Sequence, residues 1–189
     1  MIERIVLDID GVLANCLGGV KTFHNKIYPN HPHNPDAQTD QMPWDIGPVF
    51  EMSNNAIWKP LGYEFWRDLE PLPWCFEVVR LLSDLVGEEN ICLLTSPIET
   101  AGCIDGKRDW IRKHLPQFRK RFLVGPAKEF AASPWTCLVD DNTDNVNAFK
   151  KAGGLAFLFP APWNRRFKEH QLPALRRWLD ALKVIGESC

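Results

Sequence analysis

Apolar residues occur along this chain in two patterns, short runs and longer stretches with helical spacing. Short apolar runs bounded by polar or turn residues predict buried strands at residues 5–9, 91–94, 122–124, 137–139 and 155–159. Between them, apolar side chains recur at near-helical spacing over residues 75–86, 106–115, 142–152 and 172–184. Because strands alternate with helices, the pattern predicts an α/β fold with a doubly wound, Rossmann-like, five-stranded parallel sheet.

The segment between the first two predicted strands has a different character. Residues 16–72 are rich in Pro, Asn, His and Trp, have weak periodicity and include a turn-rich stretch at residues 28–35. A segment of this length is too long for a simple connection between a strand and a helix. We therefore predict a small, mostly helical cap, inserted after the first strand and lying over the site. Residues 1–15 and 73–189 would form the α/β core.

Composition and charge disfavour several classes of function. The formal net charge of −2 leaves no large basic field, so we expect no binding to duplex nucleic acid. No stretch approaches the roughly 20 apolar residues of a membrane span, and the start of the chain lacks an apolar signal region, so we expect no membrane partner. Six scattered cysteines without a Cys-x-x-Cys pair predict reduced thiols and a cytoplasmic protein. A homodimer is compatible with the sequence.

Two of the predicted strands end in paired carboxylates. Asp8 and Asp10 follow the first strand, and Asp140 and Asp141 follow the fourth. Ligands of open α/β sheets bind beyond the carboxyl ends of the strands, which is where both pairs would lie. Like charges this close repel each other unless a cation lies between them, and hard divalent cations prefer oxygen ligands. The alternatives are a solvated turn for the first pair and an acidic helix N-terminus for the second.

Hydroxyl and lysine side chains follow two further strands. Thr95 and Ser96 come after the second strand, where a hydroxyl and a backbone N–H can donate to a phosphoryl oxygen; the alternative is a Ser/Thr turn before Pro97. Lys128 follows the third strand and could neutralise the charge of a nucleophile and a phosphate. The alternative is a solvated surface lysine, with Lys107 as the rival for this role.

These groups together resemble a known superfamily. The pattern Asp-x-Asp-Gly-Val after a strand is similar to the signature of the haloacid dehalogenase-like superfamily, most of whose members are magnesium-dependent phosphatases, and the four groups occur in its chain order. Residues 65–73, 95–98, 107–110 and 139–141 resemble the 5'(3')-deoxyribonucleotidase family more narrowly. The resemblance implies a magnesium-dependent hydrolase that converts nucleoside monophosphates to nucleoside and phosphate.

The resemblance also implies a role for each catalytic group. Asp8 would be the nucleophile that forms an aspartyl-phosphate, and Asp10 would protonate the leaving oxygen and later activate water. Thr95, Ser96 and Lys128 would bind the phosphoryl group.

A metal site and a base site are implied in the same way. Asp8, the backbone carbonyl of Asp10 and Asp141 would hold Mg²⁺, and Asp140 would support the waters of the metal. Trp44 and Trp58 occur near where the family has aromatic residues against the base. The alternative for both tryptophans is packing within the cap.

The chain departs from the family at two positions. Cys16 stands where the family usually has an aromatic residue, and Glu99 stands where the family has a lysine that helps to hold phosphate. A carboxylate beside a phosphate would repel it. These departures favour an alternative, a phosphatase of another small phosphate ester. The non-enzyme alternative is a degenerate binding protein that keeps only the fold, and the intact motif residues argue against it: Asp8, Asp10, Thr95, Lys128 and Asp141. The second aspartate, Asp10, disfavours dehalogenase activity.

Overall fold

A five-stranded, all-parallel sheet forms the centre of the molecule and confirms the predicted fold class. The computed structural model describes residues 2–29, 42 and 44–187. The strands follow the order β3-β2-β1-β4-β5 across the sheet. Their bounds are β1 Arg4–Leu7, β2 Ile91–Thr95, β3 Phe122–Val124, β4 Thr136–Asp140 and β5 Leu155–Leu158.

The strand order places the ends of β1 and β4 side by side. After β1 the chain builds outward through β2 and β3, then crosses to the other side of β1 for β4 and β5. The register pairs Leu7 with Val139, so the aspartates that follow these two residues lie next to each other. A reversal of this kind opens a crevice at the carboxyl edge of a parallel sheet, where ligands bind.

Eight α-helices lie in the described part of the chain. Four lie between β1 and β2: α1 Cys16–Ile27, α2 Gly47–Phe50, α3 Asn54–Trp58 and α4 Tyr63–Arg67. Four accompany the later strands: α5 Cys75–Val86, α6 Cys103–His114, α7 Thr143–Lys151 and α8 Gln171–Glu187. None of the described helices has both the length and the apolar character needed to span a membrane.

The two faces of the sheet pack against different helices because strand side chains alternate between faces. Ile5 and Leu7 join one large buried cluster with residues of α5, α6 and α8, whereas Val6 joins a smaller cluster with Val146 and Phe149 of α7. Helices on both faces are the doubly wound arrangement that the sequence predicts.

The first strand ends two residues earlier than predicted. Ile9 is buried, but its carbonyl oxygen accepts hydrogen bonds from the N–H groups of Leu13 and Ala14, both 2.8 Å long. The backbone has therefore already entered a turn at this apolar residue. An apolar run shows which residues are buried, but it does not show where the ladder of hydrogen bonds stops.

The segment predicted to be a cap is tied to the rest of the molecule at its two ends. The N–H of Asn15 donates to the oxygen of Glu70 at 2.9 Å, and the N–H of Leu72 donates to the oxygen of Leu13 at 2.8 Å. Its described elements are helices, but its buried residues Ile57 and Trp66 belong to the same large cluster as the sheet. The division into core and cap stays a prediction, and most of the turn-rich stretch lies outside the described residues.

Candidate active site

The carboxyl ends of the strands open into a cavity of about 460 Å³. Its floor is charged and polar and is formed chiefly by Asp8, Asp10, Ser96, Lys107, Lys128, Asp141 and Asn145. Its walls are largely apolar and come mainly from the segment between β1 and β2: Cys16, Leu17, Ile46, Trp58 and Trp66. A charged floor beneath an aromatic wall suits a ligand with an anionic end and a flat apolar end.

Lys128 is buried in the floor and bridges two of the aspartates. Its Nζ donates to Oδ1 of Asp8 at 2.6 Å and to Oδ2 of Asp140 at 2.7 Å. The lysine is only 2% exposed, so the alternative of a solvated surface lysine is wrong. A buried ammonium is stable only when it is paired, and here two carboxylates pair with it.

Burial and mutual repulsion alter the protonation of this cluster. Burial raises the pKa of Asp8 to about 7, Lys128 partly offsets the rise, and Asp140 and Asp10 add to it. Burial, followed by repulsion from Asp8 and Asp140, raises the pKa of Asp141 well above its usual value. Burial opposes the charge of Lys128, but attraction to Asp8 and Asp140 prevails and raises the pKa of the lysine.

Three carboxylates of this cluster could hold a metal ion. Asp8, Asp140 and Asp141 each offer an oxygen within 4.8 Å of the others, and all three residues are buried. Asp140 already accepts hydrogen bonds from the N–H of Asn142 at 2.8 Å, from Lys128 and from Nδ2 of Asn145 at 3.1 Å. Asp8 and Asp141 are therefore the better direct ligands, and this set of oxygens fits a hard divalent cation.

Gly11 permits the close approach of the two strand ends. Its φ of +76° lies in the left-handed region, and a Cβ built on it would lie 1.9 Å from Oδ2 of Asp141 and 2.8 Å from Cζ2 of Trp163. Any side chain here would displace the Asp141 carboxylate. The glycine of the Asp-x-Asp-Gly pattern is thus required by backbone conformation and by space.

Asp10 is held by one carboxylate oxygen. Its Oδ2 accepts hydrogen bonds from Oγ1 of Thr95 at 3.3 Å and from Nζ of Lys107. Its Oδ1 is buried without a hydrogen-bond partner in the described structure. Asp10 is outside the group of three carboxylates that could share a metal ion, so its side chain is available for other chemistry.

The predicted phosphoryl-binding residues have different surroundings. Ser96 lines the cavity and its hydroxyl donates weakly to the oxygen of Gly125 at 3.4 Å. Thr95 is 1% exposed and is not among the residues that line the cavity. Its hydroxyl is bonded to Asp10 and accepts from Lys107 at 2.8 Å, so it lies behind the acid rather than facing a ligand.

Both predicted base-contacting tryptophans line the cavity. Trp44 is 60% exposed and meets Trp163 edge-on, with ring centroids 6.1 Å apart. Trp58 is partly buried against the main apolar cluster. Two further tryptophans that were not singled out from the sequence also line the cavity, Trp66 from α4 and Trp163 from the loop after β5. With eight tryptophans in the chain, residue type alone does not distinguish these four.

Lys107 was expected only as a rival to Lys128, yet both lysines reach the cavity floor. Lys107 is 3% exposed and is bonded to Asp10, whereas Lys128 is bonded to Asp8. The spacing of these residues in the chain does not show which lysine pairs with which aspartate. The resemblance did cover residues 107–110, which was the available signal.

The two residues that depart from the family pattern, Cys16 and Glu99, have different surroundings. Cys16 lines the cavity, and burial followed by repulsion from Asp10 raises the pKa of its thiol well above the usual value. Glu99 is exposed and is not among the residues that line the cavity. The carboxylate that was expected to repel a phosphate is therefore directed to solvent, where screening weakens its field.

The chain is similar to known nucleotidases over nearly its full length. The family model described as "5' nucleotidase, deoxy (Pyrimidine), cytosolic type C protein" matches residues 1–187. The cytosolic-type 5'(3')-deoxyribonucleotidase of Homo sapiens is 27% identical and covers 98% of this chain and 94% of its own length. A putative 5'(3')-deoxyribonucleotidase of Staphylococcus epidermidis is 26% identical over 94% of this chain and 93% of its own.

Solved structures share the fold at low identity. A hydrolase from Streptococcus pneumoniae TIGR4 superposes with a TM-score of 0.56 at 13% identity, covering 95% of this chain and 98% of the other. L-2-haloacid dehalogenase from Xanthobacter autotrophicus gives 0.51 at 14% identity, with 96% and 83% covered. These matches confirm the haloacid dehalogenase-like fold.

Proposed function

Because this chain belongs to the 5' nucleotidase, deoxy (pyrimidine), cytosolic type C protein family and is a phosphatase, we propose that it hydrolyses deoxyribonucleoside monophosphates with the help of Mg²⁺. The products would be a deoxynucleoside and inorganic phosphate. The observation that carries this proposal is the contrast between two neighbouring aspartates on the cavity floor. Asp8 is paired with a buried lysine, whereas Asp10 has one oxygen without a partner among the described residues.

Asp8 is the proposed nucleophile. Its Oδ1 accepts from Lys128, and Oδ2, which has no hydrogen bond in the described structure, is the oxygen that would attack phosphorus. The new bond joins this oxygen to phosphorus, the bond from phosphorus to the nucleoside oxygen breaks, and an aspartyl-phosphate forms. Lys128 supplies a fixed positive charge in a buried site, where charge stabilisation is strongest.

Asp10 is the proposed acid and base. In the first step a proton on Asp10 passes to the departing nucleoside oxygen, which would otherwise leave as an unstable alkoxide. In the second step the Asp10 carboxylate takes a proton from water, and the water oxygen displaces Asp8 from phosphorus. Phosphate is released, and both aspartates return to their first state.

Asp8 and Asp141 are the proposed side-chain ligands of Mg²⁺, with the backbone carbonyl of Asp10 as predicted from the sequence. When bound, the cation would neutralise negative charge on the phosphoryl oxygens and on the two carboxylates. Asp140 would act mainly by fixing Lys128, because its oxygens already accept the hydrogen bonds described above. Ser96 would donate to a phosphoryl oxygen from the cavity floor.

The proposed substrate is a nucleoside monophosphate because the cavity wall is aromatic. Trp44 and Trp58 line the cavity and offer flat surfaces for a base, whereas Trp66 is 2% exposed and is covered by Lys107. Cys16 lines the same wall and is smaller than the aromatic residue of the family pattern. This substitution favours the second candidate, a phosphatase of another small phosphate ester. A cytoplasmic location is part of this proposal, and the "cytosolic type" in the name of the human relative supports it.

A substrate screen tests the proposed function. Phosphate release would be measured with Mg²⁺ and with excess chelator, for a panel of deoxynucleoside monophosphates, ribonucleoside monophosphates and sugar phosphates. We expect magnesium-dependent turnover that is fastest with deoxynucleotides. Faster turnover of sugar phosphates would favour the second candidate, and full activity in chelator would refute the metal assignment.

Substitution of the nucleophile tests the mechanism. Asp8→Asn should lower turnover by more than about 10³-fold because an amide is a poor nucleophile, while the protein stays folded because Lys128 keeps its ion pair with Asp140. A crystal structure with beryllium fluoride, which mimics a phosphoryl group, should have the fluoride complex on Asp8. Its attachment to any other residue would contradict the assignment.

A further inference from the structure

Asp10 needs a support that fixes its direction. A carboxylate that transfers a proton must present a defined oxygen to the reacting atom. Among the described residues, every hydrogen bond to the Asp10 side chain is made to Oδ2, and Oδ1 is buried without a partner. The two oxygens therefore differ, because Oδ2 is anchored and Oδ1 is left without a protein partner.

Lys107 is the charged anchor of this carboxylate. An ammonium group has three N–H donors. Those of Lys107 are matched by three acceptors: Oδ2 of Asp10, Oγ1 of Thr95 at 2.8 Å and the oxygen of Ser96 at 3.2 Å. With all three donors engaged, Lys107 has none left for a phosphoryl oxygen. Its contacts therefore differ from those of a phosphate-binding lysine.

The position of Lys107 is fixed by its helix. Nζ lies 4.8 Å from the ring centroid of Trp66, so the lysine is covered on one side by an aromatic face. The neighbouring Gly106 lets α6 approach α4 closely, because a Cβ there would lie 2.7 Å from Cβ of Trp66. One turn later, Nε1 of Trp110 donates to the oxygen of Leu69 at 2.7 Å. The lysine is thus presented from a rigid support.

We propose that Lys107 is a positioning residue that holds Oδ2 of Asp10 so that Oδ1 faces the departing oxygen of the substrate. Lys107 keeps its own three protons throughout. When the proton of Asp10 passes to the departing oxygen, the negative charge left on the carboxylate lies against the ammonium of Lys107. This inference rests on the proposed function, because it assigns the support of the proposed acid.

The requirement for leaving-group protonation separates this role from phosphate binding. A nucleoside oxygen needs a proton in order to leave, whereas p-nitrophenolate is a stable anion that leaves without one. The variant Lys107→Met would be compared with wild type on a deoxynucleotide and on p-nitrophenyl phosphate. For the second ester, the first step is read from the pre-steady-state burst of p-nitrophenolate.

We expect Lys107→Met to lower kcat for the deoxynucleotide by roughly 10²-fold, in the range for a misplaced general acid, with KM changed by less than about 3-fold. The burst rate with p-nitrophenyl phosphate should stay within about 3-fold of wild type. Lys107→Arg keeps a charged donor and should recover part of the lost kcat. Lys113→Met, on the exposed face of the same helix, is the matched control and should behave as wild type.

Three results would overturn the inference. Equal losses on both esters together with a raised KM would make Lys107 a phosphate-binding residue. Equal losses with unchanged KM values would make its role structural, and an unchanged kcat for the deoxynucleotide would leave it without a role. If Lys107→Met does not fold, Lys107→Gln gives the same comparison. Its amide N–H groups can still donate to the buried acceptors around position 107, so the substitution costs less stability. A wild-type enzyme without activity on deoxynucleotides would refute the proposed substrate, and the comparison would then use whichever alkyl phosphate it accepts.

Discussion

At the scale of single residues, the site is a set of buried charges that each need a specific partner. Asp8 is 6% exposed and Lys128 is 2% exposed, and burying either one alone would be costly. The lysine lies between Asp8 and Asp140 and compensates both carboxylates at once. The proposed catalysis and the stability of the fold would therefore depend on the same contact.

Removing the Lys128 charge should harm both properties. In Lys128→Met two buried carboxylates lose their partner, and breaking a buried ion pair typically costs about 3–5 kcal/mol. We expect the free energy of unfolding at neutral pH to fall by an amount of this order and turnover to be lost. Urea denaturation and phosphate release would measure the two effects.

The matched control for that experiment is Lys120→Met, which removes an exposed lysine next to β3. Its unfolding midpoint and turnover should stay close to wild type. A Lys128→Met protein as stable as this control would mean that Asp8 and Asp140 do not depend on the lysine.

At the scale of elements, the site is assembled from strand ends and from the first turns that follow them. The predicted acidic helix N-terminus is real in part, because Asn142 caps α7 by accepting from the N–H groups of Asp144 and Asn145 at 2.7 and 3.0 Å. Asp141 precedes the cap and lines the cavity, and Asp140 before it is buried against Lys128. A single strand–helix junction thus serves both helix formation and chemistry.

The segment between β1 and β2 supplies most of the aromatic wall, and Trp44, which precedes α2, is 60% exposed. Trp44→Ala should raise KM for a deoxynucleotide by roughly 5–150-fold, the equivalent of about 1–3 kcal/mol for base stacking. The same variant should hardly change KM for a small ester such as p-nitrophenyl phosphate, which has no base. Steady-state kinetics on both substrates would measure the difference.

Two outcomes of that experiment carry opposite meanings. Loss on the deoxynucleotide alone would support a base-binding role. Equal loss on both esters would mean that Trp44 stabilises the cavity edge through its edge-on contact with Trp163, and the nucleotide assignment would weaken. Because Trp44 is mostly exposed, we expect a small change in melting temperature in either case.

At the scale of the whole molecule, the sheet brings the four aspartates together, and their mutual repulsion lowers the stability of the fold. The pKa of Asp8 is raised to about 7, and that of Asp141 is raised as well. The folded state therefore binds protons more tightly than the unfolded chain does. The contribution of this proton binding to the free energy of unfolding is fully present below the ordinary carboxyl pKa. It is lost as pH rises through about 7.

This linkage predicts how Mg²⁺ stabilises the protein at different pH values. Below a pH of about 6, protons compete with the cation for Asp8 and Asp141, whereas above about 7 the carboxylates are ionised and repel each other. Mg²⁺ should therefore raise the melting temperature more at a pH of about 8 than at about 5.5. Differential scanning calorimetry with and without Mg²⁺ would measure this.

The variant Asp141→Asn provides the control for the metal effect, because it removes one proposed ligand at little cost in volume. Its melting temperature should respond weakly to Mg²⁺ at either pH. A magnesium effect of equal size at both pH values, or one retained in Asp141→Asn, would contradict the proposed site.

The sequence by itself determined the sheet, the aspartates at the strand ends and the family. Apolar runs and helical spacing are local properties, so they revealed the strands and the α/β alternation, although not the end of β1 at Leu7. Asp8, Asp10 and Asp141 could be identified because parallel strands bring their carboxyl ends to one edge whatever lies between them. Gly11 belongs to the same local pattern and is explained by its positive φ.

Only the tertiary structure decided which charge meets which partner. Lys128 and Asp8 are 120 positions apart, and Lys107 and Asp10 are 97 apart, so no local pattern relates them. The exposure of Glu99 depends in the same way on packing. Hydrogen bonds and ion pairs depend on distances of a few ångströms, which sequence spacing constrains within one element but not between elements. The pairing of each lysine with its aspartate is therefore a property of the folded molecule.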